Sequence, residues 1–202
     1  MKRFLGEIEA TDILREYGIP TSEGGLAKGE TGALDMAQRL GYPVVLWFPD
    51  AYDRREIAAS EDDLKVAYRV MAGDTVYDEA SSKAVFVRKV PPGKEVTIGL
   101  LRDPGFGVAV TLSLGGIFSS ILKESTYRLA PVSKEEALKM MEEIGANEVL
   151  SDRDMAEASN ALVNISRLGM KKKEIIEMDI KLVVNETGAV AVDSKMIVTE
   201  RR

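Results

Sequence analysis

The chain has 202 residues, 45% hydrophobic and 30% charged, a composition that supports a sizeable folded core arranged as one domain or two small subdomains packed together. It contains no cysteine and no histidine, which excludes disulfides, thiol nucleophiles, Ser-His-Asp or Cys-His mechanisms, and zinc, haem or iron–sulfur sites of Cys or His type; oxygen-ligated cations such as magnesium stay open. A net charge of −6 argues against general affinity for nucleic acid or an anionic membrane, while backbone amides and a few basic side chains still allow a local phosphate site. No apolar run approaches the roughly 20 residues that span a bilayer, and Met1 to Gly6 carries no signal-peptide core. The expected location is cytoplasmic.

In chain order, Glu7 to Tyr17 spaces Ile8, Ile13, Leu14 and Tyr17 as a helix that Gly18 closes, and Glu30 to Leu40 repeats the device with Gly41. A short strand is expected at Gly24 to Lys28. Tyr42 to Phe48 is a nearly continuous apolar run, read as a buried strand. Ser60 caps a helix with an acidic first turn whose apolar face is Leu64, Ala67, Tyr68 and Met71. Gly73 to Lys83 is polar and unpatterned, the expected hinge between a smaller subdomain at 1–80 and a larger one at 81–202. Ala84 to Val87 is expected to start the larger sheet, with Pro91-Pro92-Gly93 as a tight hairpin turn.

From Gly93 to Pro131 strand-like runs are cut by turns: Val96 to Leu101, then Arg102-Asp103-Pro104-Gly105, then Val108 to Leu114, then a second turn through Gly115-Gly116, then Tyr127 to Ala130. Ser133-x-x-Glu136 is a capping box heading a helix with Ala137, Met140, Met141 and Ile144 inward. Ser151 to Leu168 carries one apolar stripe, and Lys171-Lys172-Lys173 is a solvated helix end or a phosphate contact. Ile175 to Val184 and Ala189 to Thr199 form a closing hairpin that puts Asp179 and Asp193 on pairing strands.

Several blocks in order, Gly93-x-Glu95, Arg102-Asp103-Pro104-x-Phe106-Gly107, Leu114-Gly115-Gly116-Ile117-Phe118 and Tyr127-Arg128-Leu129-Ala130-Pro131, resemble the ATP-grasp domain of the NDP-forming acyl-CoA synthetases, the subunit often called beta. ILREYGIP and LGYPVVL near the start resemble the same domain. The resemblance implies an α+β (α/β) chain with an ATP-grasp fold: two small subdomains with mostly antiparallel sheets flanked by helices, and the adenine held between two sheets. It implies ATP or ADP with magnesium as cofactors, and as partner a CoA-binding alpha-type subunit or a second copy of the chain. Glu95, Arg102, Gly115 and Gly116 would lie along the nucleotide cleft; for Glu95 and Arg102 a cross-strand salt bridge is the alternative. Asp193 and Asp179 would be the metal candidates, with Glu177 nearby.

The chain departs from the family's pattern at chemistry-bearing positions. The family's phosphate-contacting lysine after GYPVVL is Trp47 here, and the following loop is the shorter 48–55, with Arg54 and Arg55 as the basic groups in reach. An indole offers one neutral donor, not a charged one. The Asn of the family's metal segment is Lys181, while the Asp of the next strand is kept as Asp193. Ser119-Ser120 replace the acid after the glycines, Glu124 stands where an Asp is usual, and the family's phosphate-carrying histidine has no counterpart. This pattern implies a retained scaffold without catalytic residues, serving a structural or regulatory role with weak nucleotide binding; the alternative is an active ADP-forming ligase subunit completed by its partner.

Overall fold

A computed structural model describes residues 1–49, 54–73, 83–116 and 125–199. The chain divides into two compact units, one of Met1–Thr21 with Pro92–Arg202 and one of Ser22–Pro91.

The smaller unit is a four-stranded antiparallel sheet in the order β2 (Gly24–Lys28), β5 (Ala84–Lys89), β3 (Val44–Trp47), β4 (Glu56–Ala58). Helices α2 (Gly29–Leu40) and α3 (Glu61–Ala72) supply its core with Ala33, Ala37, Leu64 and Tyr68, which meet Val44, Leu46, Val85 and Val87 of the sheet. Ser60 caps α3 by accepting from the Asp63 amide at 3.2 Å. Arg69 of α3 holds Glu30 of α2 through two donors, each at 3.0 Å.

β5 corrects one expectation. It pairs with β2 and β3 in the smaller sheet and does not start the larger one. Pro91-Pro92-Gly93 is therefore the passage from one unit to the other instead of a hairpin turn: prolines lack the N–H a ladder needs. Gly93 follows with φ +150, where an added Cβ would collide with the Val184 carbonyl. The opening segment also goes with the larger unit, because β1 (Lys2–Phe4) pairs with β10 (Gly188–Thr199) and α1 (Glu7–Glu16) packs on that strand. Of the expected hinge, 74–82 lie outside the described residues.

The larger unit is a six-stranded antiparallel sheet in the order β1, β10, β9, β6, β7, β8. Its strands are β6 (Lys94–Asp103), β7 (Gly107–Leu114), β8 (Ser125–Leu129), β9 (Ile175–Asn185) and β10 (Gly188–Thr199). One face is apolar by strict alternation: Val96, Ile98 and Leu100 on β6 are matched by Met178, Ile180 and Leu182 on β9 and by Val110, Leu112 and Leu114 on β7. Helix α5 (Asp152–Lys171) lies across these strands, with α4 (Lys134–Glu143) against it and capped by the Ser133/Glu136 box. The opposite face carries no helix among the described residues. No described helix is long and apolar enough to cross a membrane.

Candidate functional site

Trp47 ends β3, fully buried, with its indole stacked on Phe86, its in-register neighbour on β5 (centroids 5.1 Å apart, planes 16° apart). The Arg55 guanidinium lies 4.6 Å from the ring centroid and that of Arg88 5.6 Å. Nothing accepts from the indole Nε1 among the described residues. The sequence reading of this run as a buried strand holds, and the residue at its end is a core side chain. Arg54 turns to Glu56 at 3.9 Å; Asp50 and Asp53 lie outside the described residues.

On the larger unit, Glu95, Gly115 and Gly116 come together. Val96 pairs with Leu114, so the glycines leave β7 beside the start of β6. The Gly115 amide donates to the Glu95 carbonyl at 2.8 Å and the Gly116 amide to Glu95 Oε1 at 3.3 Å. Gly115 has no room for a side chain, because a Cβ would strike that carboxylate, and Gly116 adopts φ +59. Ser119, Ser120 and Glu124 lie outside the described residues.

Arg102 is not part of this group. It sits on β6 seven residues on from Glu95, roughly 23 Å along the strand, and on the opposite face by alternation. Its guanidinium donates to the carbonyls of Ile175 at 3.0 Å and Lys172 at 3.3 Å and to that of Gly169. It thus satisfies main-chain oxygens that the end of α5 leaves without helical partners, and its charge complements the helix dipole there. Neither Arg102 nor Glu95 forms a cross-strand salt bridge among the described residues, and β6 is an interior strand. Lys172 likewise serves structure, reaching Glu16 of α1 at 3.0 Å, and with Lys171 it lies under 6 Å from the Tyr17 ring (5.7 and 5.8 Å).

Asp179 and Asp193 occupy the open face, and neither faces the other. In the ladder, Thr97, Lys181 and Asp193 share one row across β6, β9 and β10, and Gly99, Asp179 and Lys195 share the next. Each carboxylate thus has a lysine directly across from it. Asp193 reaches this face only because of a bulge: Ala189 and Ala191 are buried on the helix side, as are Ser194 and Met196, so the alternation slips by one between Ala191 and Asp193. Without the slip its carboxylate would point into the apolar core. The Asp179 carboxyl is pushed above the ordinary carboxylate range, first by burial and next by the charge of Asp193; Lys181 and Lys195 pull it the other way.

This donor set does not fit a divalent cation. Magnesium takes near-octahedral oxygen coordination, and no group of three or more carboxylates that could hold a metal occurs among the described residues. Asp179 and Asp193 lie on successive rows of the face, with Lys195 and Lys181 across the ladder from them, and Glu177 shares their face, on β9. Lys195 and the bulge are the features that sequence reading missed. Only the change of alternation phase along β10 hints at them.

The larger unit has two antiparallel faces, one under helices and one open, with a glycine turn against a carboxylate. Together with a small antiparallel sheet under two helices, this is the architecture of an ATP-grasp protein. A family profile described as an ATP-grasp domain matches residues 1–198. The chain belongs to the ATP-grasp family.

Within it, the β subunit of ADP-forming acetate–CoA ligase I from Pyrococcus furiosus is 35% identical, over 96% of this chain and 92% of that protein. The ADP-forming acetate–CoA ligase I of Archaeoglobus fulgidus is 31% identical over 95% of this chain, which spans 30% of that longer protein. Among solved structures, the dinucleotide-forming acetyl-coenzyme A synthetase 1 of Ca. Korarchaeum cryptofilum, in complex with coenzyme A, Ca-AMPCP and HgCl+, superposes with a TM-score of 0.80 at 30% identity, covering 98% of this chain and 94% of that one.

Proposed function

We propose that this chain is a β-type ATP-grasp subunit of the ADP-forming acyl-CoA synthetase family that keeps the scaffold and no longer supports phosphoryl transfer. It acts as a structural or regulatory subunit beside a CoA-binding partner chain, and it binds nucleotide weakly on the face that carries Glu95, Gly115 and Gly116. The observation that carries the reading is Trp47. Where the family resemblance expects an ammonium aimed at phosphate, this chain has a fully buried indole stacked on Phe86. Phosphoryl transfer depends on positioned charge, and a neutral core side chain supplies none. The absence of histidine from the sequence agrees, since the family passes phosphate through that residue.

A partner is supported by the relatives: one is a separate β subunit covered almost end to end, and another is a longer chain of which this one spans 30%. The test is co-expression with a CoA-binding alpha-type chain of the family, purification of the complex, and assay of acyl-CoA-dependent ATP formation from ADP and phosphate. A stable complex without turnover is expected. Turnover at rates typical of enzymes, about 1 per second or more, would show that the partner completes an active site and would overturn the reading.

A further inference from the structure

One row of the open face of the larger sheet differs in chemistry from the rest. The register sets Phe4 opposite Ile197, Ile197 opposite Glu177, Glu177 opposite Leu101, Leu101 opposite Ala109 and Ala109 opposite Leu129, so one line of side chains crosses every strand from β1 to β8. All but Glu177 are apolar. With strands about 4.8 Å apart, the line is about 24 Å long. The next rows toward Gly115 carry Lys195, Asp179 and Thr111, then Asp193, Lys181 and Ser113. The apolar row is uncovered: Phe4, Leu101 and Leu129 are 52–70% exposed, as is Tyr127, two residues from Leu129 on the same face. At the same end of the sheet the β6–β7 turn, closed by Asp103, presents Phe106 with 80% of its surface exposed. Contiguous apolar surface of this extent marks an interaction site, and aromatic side chains at its edge are the usual anchors.

We infer that the CoA-binding partner chain docks on this row, through an apolar segment that sets a basic side chain opposite Glu177. The inference rests on the partner reading above and adds to it the surface. Glu177 forms no ion pair among the described residues, so whatever covers the row must bring a cation or bury an unpaired carboxylate. A second copy packed row on row brings none, because the row holds no lysine or arginine. The position of the row also favours the partner. The Archaeoglobus relative matches 95% of this chain with only 30% of its own length, and Lys2 of β1 stands opposite Thr199 of β10 in the row next to the apolar one. Whichever side of the matched stretch carries the rest of that protein, the join lies near this end of the sheet, where a short tether holds its neighbour at high effective concentration.

The test titrates the full chain with the alpha-type chain of the family by calorimetry, with thermal unfolding of every variant as a check on its fold. Leu101→Asp combined with Leu129→Asp is expected to weaken the complex about 30-fold or more, and Glu177→Lys about fivefold or more. Both sites are exposed, so each variant should melt within about 2 °C of the wild type. Val66→Asp, at an exposed apolar position of α3 in the smaller unit, should leave the affinity within about twofold. Row variants that fold and bind like the wild type, or a Val66→Asp protein that loses as much affinity as they do, would overturn the inference. If the double variant melts lower, hydroxyl-radical footprinting of the wild-type complex decides: oxidation of Phe106 and Tyr127 should fall on complex formation, and unchanged oxidation would overturn the docking site. A dimer of the chain alone that the double variant dissolves would assign the row to a second copy instead. No complex between the wild-type chains would reject the partner reading and this assignment together, whereas a complex indifferent to the row rejects the assignment alone.

Discussion

The two units depart from the family pattern in physically different ways. In the smaller unit the departing residue, Trp47, has been absorbed into packing: it is fully buried, stacked on Phe86 and approached by two guanidinium groups. In the larger unit the departing residue, Lys181, remains exposed on the sheet face, across the ladder from Asp193. A change absorbed by packing is held in place by the stability of the fold, whereas a change carried on a surface is open to reversal by single substitutions.

That contrast sets the sizes of the expected effects. The largest belongs to Trp47→Lys, the substitution that returns the family's residue. It removes an aromatic stack and buries a charge, and is expected to cost about 4 kcal/mol or more by urea unfolding; a loss below about 1 kcal/mol would mean that Trp47 is not a core residue. Next comes Arg102→Met on the helix side of the larger sheet, which strands the carbonyls of Gly169, Lys172 and Ile175. A loss of about 3 kcal/mol is expected, with faster hydrogen exchange confined first to the end of α5. Lys181→Asn on the open face should move stability by no more than about 0.5 kcal/mol.

The smallest effect is Asp179→Asn. Because the folded state raises the Asp179 pKa, the native chain binds that proton more tightly than the unfolded chain does. Its ionised form therefore costs stability at neutral pH, and the cost disappears as pH falls through the raised value. The variant should melt slightly above the wild type at pH 7, and the gap should close on acidification; a gap that widens toward acid would contradict a raised Asp179 pKa.

Much of this architecture is legible in the sequence because it rests on local chemistry. The Ser60 and Ser133 caps, the glycine closures after α1 and α2, and the buried run ending at Trp47 need only neighbours a few residues away. The same holds for Asp103, which closes its turn by accepting from the Gly105 amide at 2.7 Å and the Phe106 amide at 2.9 Å. What local pattern cannot supply is partnership at long range. β5 alternates like any strand, and nothing within it says that β2 and β3 are its neighbours. Arg102 reads as a site residue beside a turn, yet its partners lie at the end of α5 and the start of β9, far along the chain. Of the candidate site, the Glu95–Gly115–Gly116 group follows from adjacent hairpin strands. The pairing of Asp179 with Lys195 depends on the bulge before Asp193, which shifts register without altering composition.

The central claim is that the scaffold is kept while the nucleotide site is weakened, and thermal unfolding with 1 mM magnesium-ATP tests it most directly. Ligand binding stabilises by RT ln(1 + [L]/Kd), so a dissociation constant of about 1 mM gives roughly 0.4 kcal/mol and one of about 1 μM roughly 4 kcal/mol. For a chain of this size each kcal/mol moves the melting temperature by about 2–4 °C. The expected shift is therefore no more than about 2 °C. A shift of about 8 °C or more would mean an intact nucleotide site and would contradict the account.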